Sequence, residues 1–265
     1  MAGSMVYRLP VADAATPHMS AFRQAMRDMQ GIWDNRGYNY IAGFHGIPNW
    51  HCWHTQFSRR TPLQPRLFLP WHRAYLLRFE RMLQDRVPGV AVPWWDWTRT
   101  RSIPSAYAAR RVGNQANPLY SARIWVPTVR PRIDRRTQRW PGRNPLVRLP
   151  SDNEVAWVLD DPEWASFSDL LENLHNLVHN WVSGDMLNQE TAAWEPLFWA
   201  HHCMIDRIWY LWQVRYGNGG IPRDILDLEL IPFGQRTRDV LDVQRLGYEY
   251  AASATQIPIG GGGNG

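Results

Sequence analysis

The histidines carry the chemistry of this chain, because imidazole both binds transition metals and changes charge near neutral pH. Of the nine, eight fall into two groups: His45, His51, His54 and His72, then His175, His179, His201 and His202. His18 stands apart in no motif and reads as a surface residue. His175 and His179 are four positions apart, so on a helix both rings leave the same face. Alone, such a pair is a weak signal, since surface histidine pairs are common. Here Leu174, Leu177 and Val178 turn the pair inward, and two buried imidazoles need partners. Zinc, copper, iron and nickel all suit such a cluster. Glu172-Asn-Leu-His175 supplies one Glu-x-x-His step of a carboxylate-bridged di-iron bundle. No histidine of the first group has a Glu three residues before it, and Glu80 cannot fill two roles. A single zinc would leave several histidines idle. Two metals with three imidazoles each use six of the eight, so an all-histidine site is the better reading.

The elements that must hold these side chains are mostly helical. Helical character runs from Met19 to about Gly31 and from Tyr38 to Phe44, with breaks at Gly31 and Gly37. Trp71 to Arg86 is the clearest helix: Leu76, Phe79 and Leu83 recur at helical spacing, and Val87-Pro88-Gly89 stops it. From about Pro104 to Pro150 the chain is loop with a short strand pair. Asn153 to Leu159 is a short helix. Ser168 to Trp181, with Ser168 as N-cap, and Pro196 to Tyr216 are long ones. The expected fold is mainly α: a four-helix bundle around one core, with long Pro/Gly/Arg-rich loops and little β.

At 265 residues and 45% hydrophobic content, the chain can bury one sizeable core. No apolar run reaches the roughly 18 residues of a membrane helix, so no membrane role is expected. The net charge of +5 comes wholly from arginine, much of it in the Pro/Gly-interrupted stretch Arg130 to Arg148. That pattern is a solvated loop, and nucleic-acid binding is not expected. Two cysteines beside histidines exclude a disulfide scaffold. Met1 to Met5 reads as a cloning remnant without the features of a secretory signal. The expected location is therefore cytoplasmic, or exported only with a partner. The expected organisation is a domain over 6–250 and a disordered Gly-rich tail over 251–265.

Four segments resemble the tyrosinase family. Phe68-Leu-Pro-Trp-His-Arg-Ala-Tyr-Leu-Leu-Arg-Phe-Glu80 is similar to the segment that carries the third ligand of the first copper. Val92-Pro-Trp-Trp-Asp-Trp97 resembles the family's Pro-Tyr-Trp-Asp-Trp element. Glu195-Pro-Leu-Phe-Trp-Ala-His-His-Cys-Met-Ile-Asp-Arg-Ile-Trp209 resembles the second-copper segment. Tyr248-Glu-Tyr250 is similar to the Tyr-x-Tyr that closes the core against an N-terminal arginine, here Arg8. The resemblance spans residues 6 to 250 and implies two copper ions per chain in a four-helix bundle, with O2 bound between them. It implies that His45, His54 and His72 hold the first copper, and His175, His179 and His202 the second. His201 is left as a neighbour, and His51, off the pattern, is the alternative to His54. Cys52, two before His54, matches the Cys-x-His arrangement that forms a thioether to the histidine ring in some members; the alternative is a free buried cysteine. Cys203 has no such register and is expected in the core.

By the same resemblance Glu172 and Asn176 would hold the water that deprotonates a monophenol, and Asn180 would tune substrate preference. Asp206 and Arg207 are expected to form an internal ion pair. The Met186 to Ala193 loop and the Thr55 to Arg66 insertion would border the entrance. Departures are the 18-residue step from His54 to His72, Glu195 where the family has Asp, and the looser register of Glu172. The absence of a shielding domain after Tyr250 suggests a small core or a lost lid. The implied activity is oxidation of small phenols by O2 to o-quinones, including monophenol hydroxylation, with a caddie-like copper-delivery protein as partner. Alternatives are a catechol oxidase or o-aminophenol oxidase without monophenolase activity. From other classes come a haemocyanin-like O2 carrier and a non-catalytic Arg-rich binding module.

Overall fold

The computed structural model describes residues 5–12, 16–52 and 64–251. His54, most of the Thr55 to Arg66 insertion and the tail beyond 251 lie outside the described residues. In chain order the elements are β1 (Val6–Arg8), α1 (Pro17–Gln30), α2 (Tyr38–Ala42), α3 (Phe68–Gln84), α4 (Ser105–Ala108), β2 (Arg111–Val112), β3 (Gln115–Ala116), β4 (Arg123–Val126) and β5 (Ile133–Arg136). Then follow α5 (Asp152–Leu159), α6 (Trp164–Val182), α7 (Leu197–Tyr216), α8 (Arg223–Leu226), β6 (Glu229–Leu230), β7 (Gln235–Arg236) and β8 (Tyr248–Tyr250). The long helices α1, α3, α6 and α7 form the bundle, with α3 against α1, α6 and α7 and α6 against α7. Every sheet among the described residues is a two-stranded pair. No helix there is long and apolar enough to cross a membrane.

Each helix forms for local reasons, and its buried face then chooses the partner. In α3 Pro70 sits in the first turn, where the missing N–H costs nothing. Phe79 from α3 stacks on Trp199 from α7, ring centres 3.6 Å apart. α5 opens with a capping box, Ser151 accepting from Glu154 N while the Glu154 carboxylate accepts from Ser151 N. Ser168 is not the N-cap of α6: the helix starts a turn earlier after Glu163, and Ser168 is buried inside it. Burial decides this, because Trp164 and Phe167 pack on Trp212 of α7 and draw the extra turn into the core. His18 is likewise not a free surface residue: it is half-buried, its Nε2 3.1 Å from the Pro10 carbonyl oxygen.

The two ends of the described chain meet. β1 and β8 pair in parallel, with Val6 opposite Tyr248 and Arg8 opposite Tyr250. The Arg8 guanidinium, fully buried, donates to both Glu80 oxygens (2.9 and 3.1 Å), to Asp206 Oδ2 (3.0 Å) and to the Tyr250 hydroxyl (3.0 Å). It also lies 3.5 Å above the Tyr248 ring. Arg73 donates to Asp206 Oδ1 at 2.5 Å. Asp206 therefore pairs with Arg8 and Arg73, not with Arg207, which lies 4.2 Å over the Trp94 ring. Successive helix positions point about 100° apart, so one neighbour faces the core and the other the rim. Cys203 is in the core as expected, its thiol donating to the Val92 carbonyl.

Candidate metal centre

α6 and α7 supply one histidine group. His175, His179, His201 and His202 are all buried, and a donor atom of each lies within 4.8 Å of the others. His202 Nε2 is 3.3 Å from His175 Nε2 and 3.4 Å from His179 Nε2. That is the spacing of nitrogens held about 2 Å from one metal ion. The other nitrogens show which way the lone pairs point. His179 Nδ1 donates to the Met186 carbonyl (2.5 Å), and His175 Nδ1 to Asn176 Oδ1 (3.1 Å). Oxygen acceptors fix the proton on Nδ1, so Nε2 presents a lone pair. Two lone pairs thus face a third nitrogen that can offer at most one proton.

The second group comes from the end of α2 and from α3. His45, Cys52 and His72 bring one donor atom each within 4.8 Å of one another. Here too Nδ1 is tied down: His72 donates to Phe68 O (2.8 Å) and His45 to Gln189 O (3.2 Å). Cys52 Sγ is 3.5 Å from His72 Nε2. The two groups face each other directly, the His72 and His202 rings stacking at 4.4 Å and 10°. Phe198 lies between them, 4.1 Å from the His202 ring and 4.9 Å from His45. Phe68 packs on His72 and His175, at 4.8 and 5.0 Å.

Burial keeps His201 and His202 neutral. Removal from water, then the neighbouring rings, holds His202 well below the ordinary imidazole range. Burial does the same for His201, with His179 adding to it. Buried imidazoles with Nδ1 tied to oxygen and Nε2 lone pairs converging on two adjacent points are what soft-to-borderline metal ions require. The donor set therefore fits two copper ions, one at each group.

The structure brings together His45, His72, His175, His179 and His202, with Cys52 beside them. His51 is not in either group; its ring packs edge-on to Phe44 at 5.8 Å. His201 is inside the second group: its ring stacks 5.1 Å from His175, and neither ring nitrogen has a hydrogen-bond partner. Glu172 is buried one turn before Asn176 on α6, while Asn180 is exposed at the rim with Arg143, Asn144 and Leu187. Glu195 is fully buried, its oxygen taken by Arg139 at 2.6 Å. The Met186 to Ala193 loop turns its Met186 and Gln189 carbonyls to His179 and His45. Sequence reasoning missed those carbonyls because every residue has one, and only the fold says which is aimed at a ring. Phe68 and Phe198 were signalled by their motifs but not as parts of the site.

Residues 35–215 match the family model described as the common central domain of tyrosinase. The tyrosinase of Streptomyces glaucescens is 36% identical over 205 residues, covering 66% of this chain and 74% of that protein. A G-type hemocyanin of Enteroctopus dofleini is 29% identical over 211 residues, 74% of this chain and 7% of that much longer protein. In fold, the chain superposes on a tyrosinase from Burkholderia thailandensis with a TM-score of 0.77 at 21% identity, covering 96% of this chain and 75% of that one.

Proposed function

The chain belongs to the tyrosinase family of binuclear copper proteins, and on that premise we propose that it oxidises phenols with O2 to o-quinones. The observation that carries the reading is the pair of facing imidazole groups, with four Nδ1 protons tied to oxygens and four Nε2 lone pairs directed inward. We assign His45, His54 and His72 to the first copper and His175, His179 and His202 to the second. Copper at these positions supplies Lewis acidity and the redox couple that reduces O2. The protein's share is to hold each imidazole in one tautomer and to keep the site dry.

A diphenol gives up two electrons and two protons. A monophenol takes one oxygen atom into the ring while the other leaves as water, so it must first lose its hydroxyl proton. We assign that step to a water held by Glu172 and Asn176. Asn176 already spends its carbonyl on His175, and its buried amide N–H has no partner, which supports a second bond to such a water. Asn180 at the rim would bias which ring enters. Cys52 would carry a thioether to His54, the S–H and one ring C–H being lost as two protons and two electrons that O2 takes up in the copper-loaded protein, in keeping with its place beside His72. A mass lower by two hydrogen atoms, localised to the peptide holding both residues, is the expected result. A free thiol in the copper-loaded protein would overturn it. Copper delivery by a caddie-like partner and a cytoplasmic seat, or export with that partner, belong to the same reading.

The test is oxygen uptake by copper-loaded protein on a simple monophenol primed with a trace of diphenol. Sustained uptake is expected. Uptake on catechol or o-aminophenol alone would reduce the function to an oxidase. Silence on all three would favour the oxygen carrier, a reading kept because the hemocyanin of Enteroctopus dofleini is 29% identical over much the same span.

A further inference from the structure

The turn between α6 and α7 is built to an unusual specification. At the end of α6, Ser183 adopts φ 59° and ψ −167°, a region open almost only to glycine, and Gly184 follows at φ 61°. A side chain at Gly184 would strike the Gln138 carbonyl at 2.2 Å. This sharp reversal delivers Asp185 beneath β5, where the carboxylate is buried. Its oxygens accept from Arg135 at 2.6 and 2.8 Å, from Gln138 N at 2.7 Å and from the Thr191 hydroxyl at 2.7 Å. Four donors use the whole acceptor capacity of a carboxylate, and a neutral amide could not accept them all.

From that anchor the loop reaches both metal groups. Met186 O accepts from His179 Nδ1, and three residues on Gln189 O accepts from His45 Nδ1. Glu190 O takes Ile47 N at 3.1 Å, which holds the loop against the backbone that follows His45. The approach depends on Gly46, where a Cβ would lie 2.3 Å from Glu190 O and 2.5 Å from Gln189 O. One short loop therefore orients one imidazole in each group, and Asp185 shapes the loop.

We propose that Asp185 is a positioning residue for both copper sites at once, fixing the Nδ1–H tautomers of His45 and His179 through the Met186 and Gln189 carbonyls. The proposal rests on the assignment of His45 and His179 as copper ligands. It makes copper binding at the two sites share a common support, although their ligands come from distant parts of the chain.

The experiment uses the full chain. Asp185→Asn keeps the volume but sets an amide donor against existing donors. In the copper-free protein, 15N-histidine spectra report each ring's tautomer directly, and His45 and His179 should change from pure Nδ1–H to mixtures. Copper affinity, read by competition with a chelator, should fall roughly 10- to 100-fold at each site. The sites are separated by repeating the titration in His202→Ala, which leaves the first, and in His72→Ala, which leaves the second. Thr191→Val removes a single donor to Asp185 and serves if Asp185→Asn does not fold; it should give the same pattern, smaller. Arg148→Gln, which breaks a remote surface pair, should leave tautomers and affinities unchanged. Unchanged tautomers in Asp185→Asn and Thr191→Val, or a loss confined to one site, would overturn the shared support. Full copper retention in His72→Ala and His202→Ala would instead overturn the ligand assignment beneath it.

Discussion

The adjacent histidines His201 and His202 show how far residue-level physics reaches. Both are fully buried on α7 and held neutral, yet only the Nε2 of His202 meets the His175 and His179 nitrogens at hydrogen-bond distance. His201 stacks on His175 with both of its nitrogens unsatisfied, which costs the copper-free fold about 1–3 kcal/mol. His201→Phe should therefore retain two coppers per chain and melt no lower than the parent without metal. Loss of one copper would make His201 a ligand. His179→Ala should remove one copper per chain, and a protein that kept both would refute that assignment. Metal analysis checks both variants. The two histidine groups were legible in the sequence, because an imidazole at helical spacing amid leucine and valine has few other uses. What could not be read there was the partner of each Nδ1.

At the scale of elements, the helices position the rings but the turn after α6 sets their angle. Ser183 sits in a glycine-only conformation that costs about 1–3 kcal/mol. Ser183→Gly should relieve that strain and raise the thermal midpoint of the copper-free protein; a lower midpoint would mean that the serine side chain holds the turn. Gly46→Ala should act in the opposite sense and locally. The added methyl must push the Glu190 and Gln189 carbonyls away, and copper affinity should fall first at the His45 site. Equal copper binding before and after would show that the loop yields freely. Sequence reading placed α1, α3, α6 and α7 to within about a turn, since their apolar periodicity is strong. It set the start of α6 too late, because a serine resembles a cap until Trp164 and Phe167 are seen packing on Trp212.

The whole molecule is closed by the buried Arg8, Glu80, Asp206, Arg73 and Tyr250 network, which ties β1 and β8 to α3 and α7. Burial would raise the Asp206 carboxyl, but the Arg73 and Arg8 guanidiniums outweigh it and hold the group below the usual range. Asp206→Asn leaves buried arginine charge without its counter-charge and should cost about 3–5 kcal/mol of stability, measured by denaturant unfolding. Acid acts on the same molecule through the histidines. His201 and His202 stay neutral in the fold, whereas in the unfolded chain they take up protons below about pH 6.5. The unfolded state then binds more protons, so stability present at neutral pH falls as the pH drops below that value, by up to about 1.4 kcal/mol per pH unit for each group. The copper-free protein should melt progressively lower from pH 7 to 5, and His201→Phe should flatten that slope. A slope unaltered by the substitution would place the acid sensitivity elsewhere.

By itself the sequence determined the chemistry on offer: histidines at helical spacing and apolar helices to carry them. These are local properties, written in residue type and period. The tertiary structure alone decided which carbonyl fixes which ring, that Asp206 pairs with Arg8 and Arg73 while Arg207 covers Trp94, and that one loop under Asp185 serves both metal groups. Those outcomes depend on backbone atoms common to every residue and on contacts between distant segments, so no pattern along the chain could announce them.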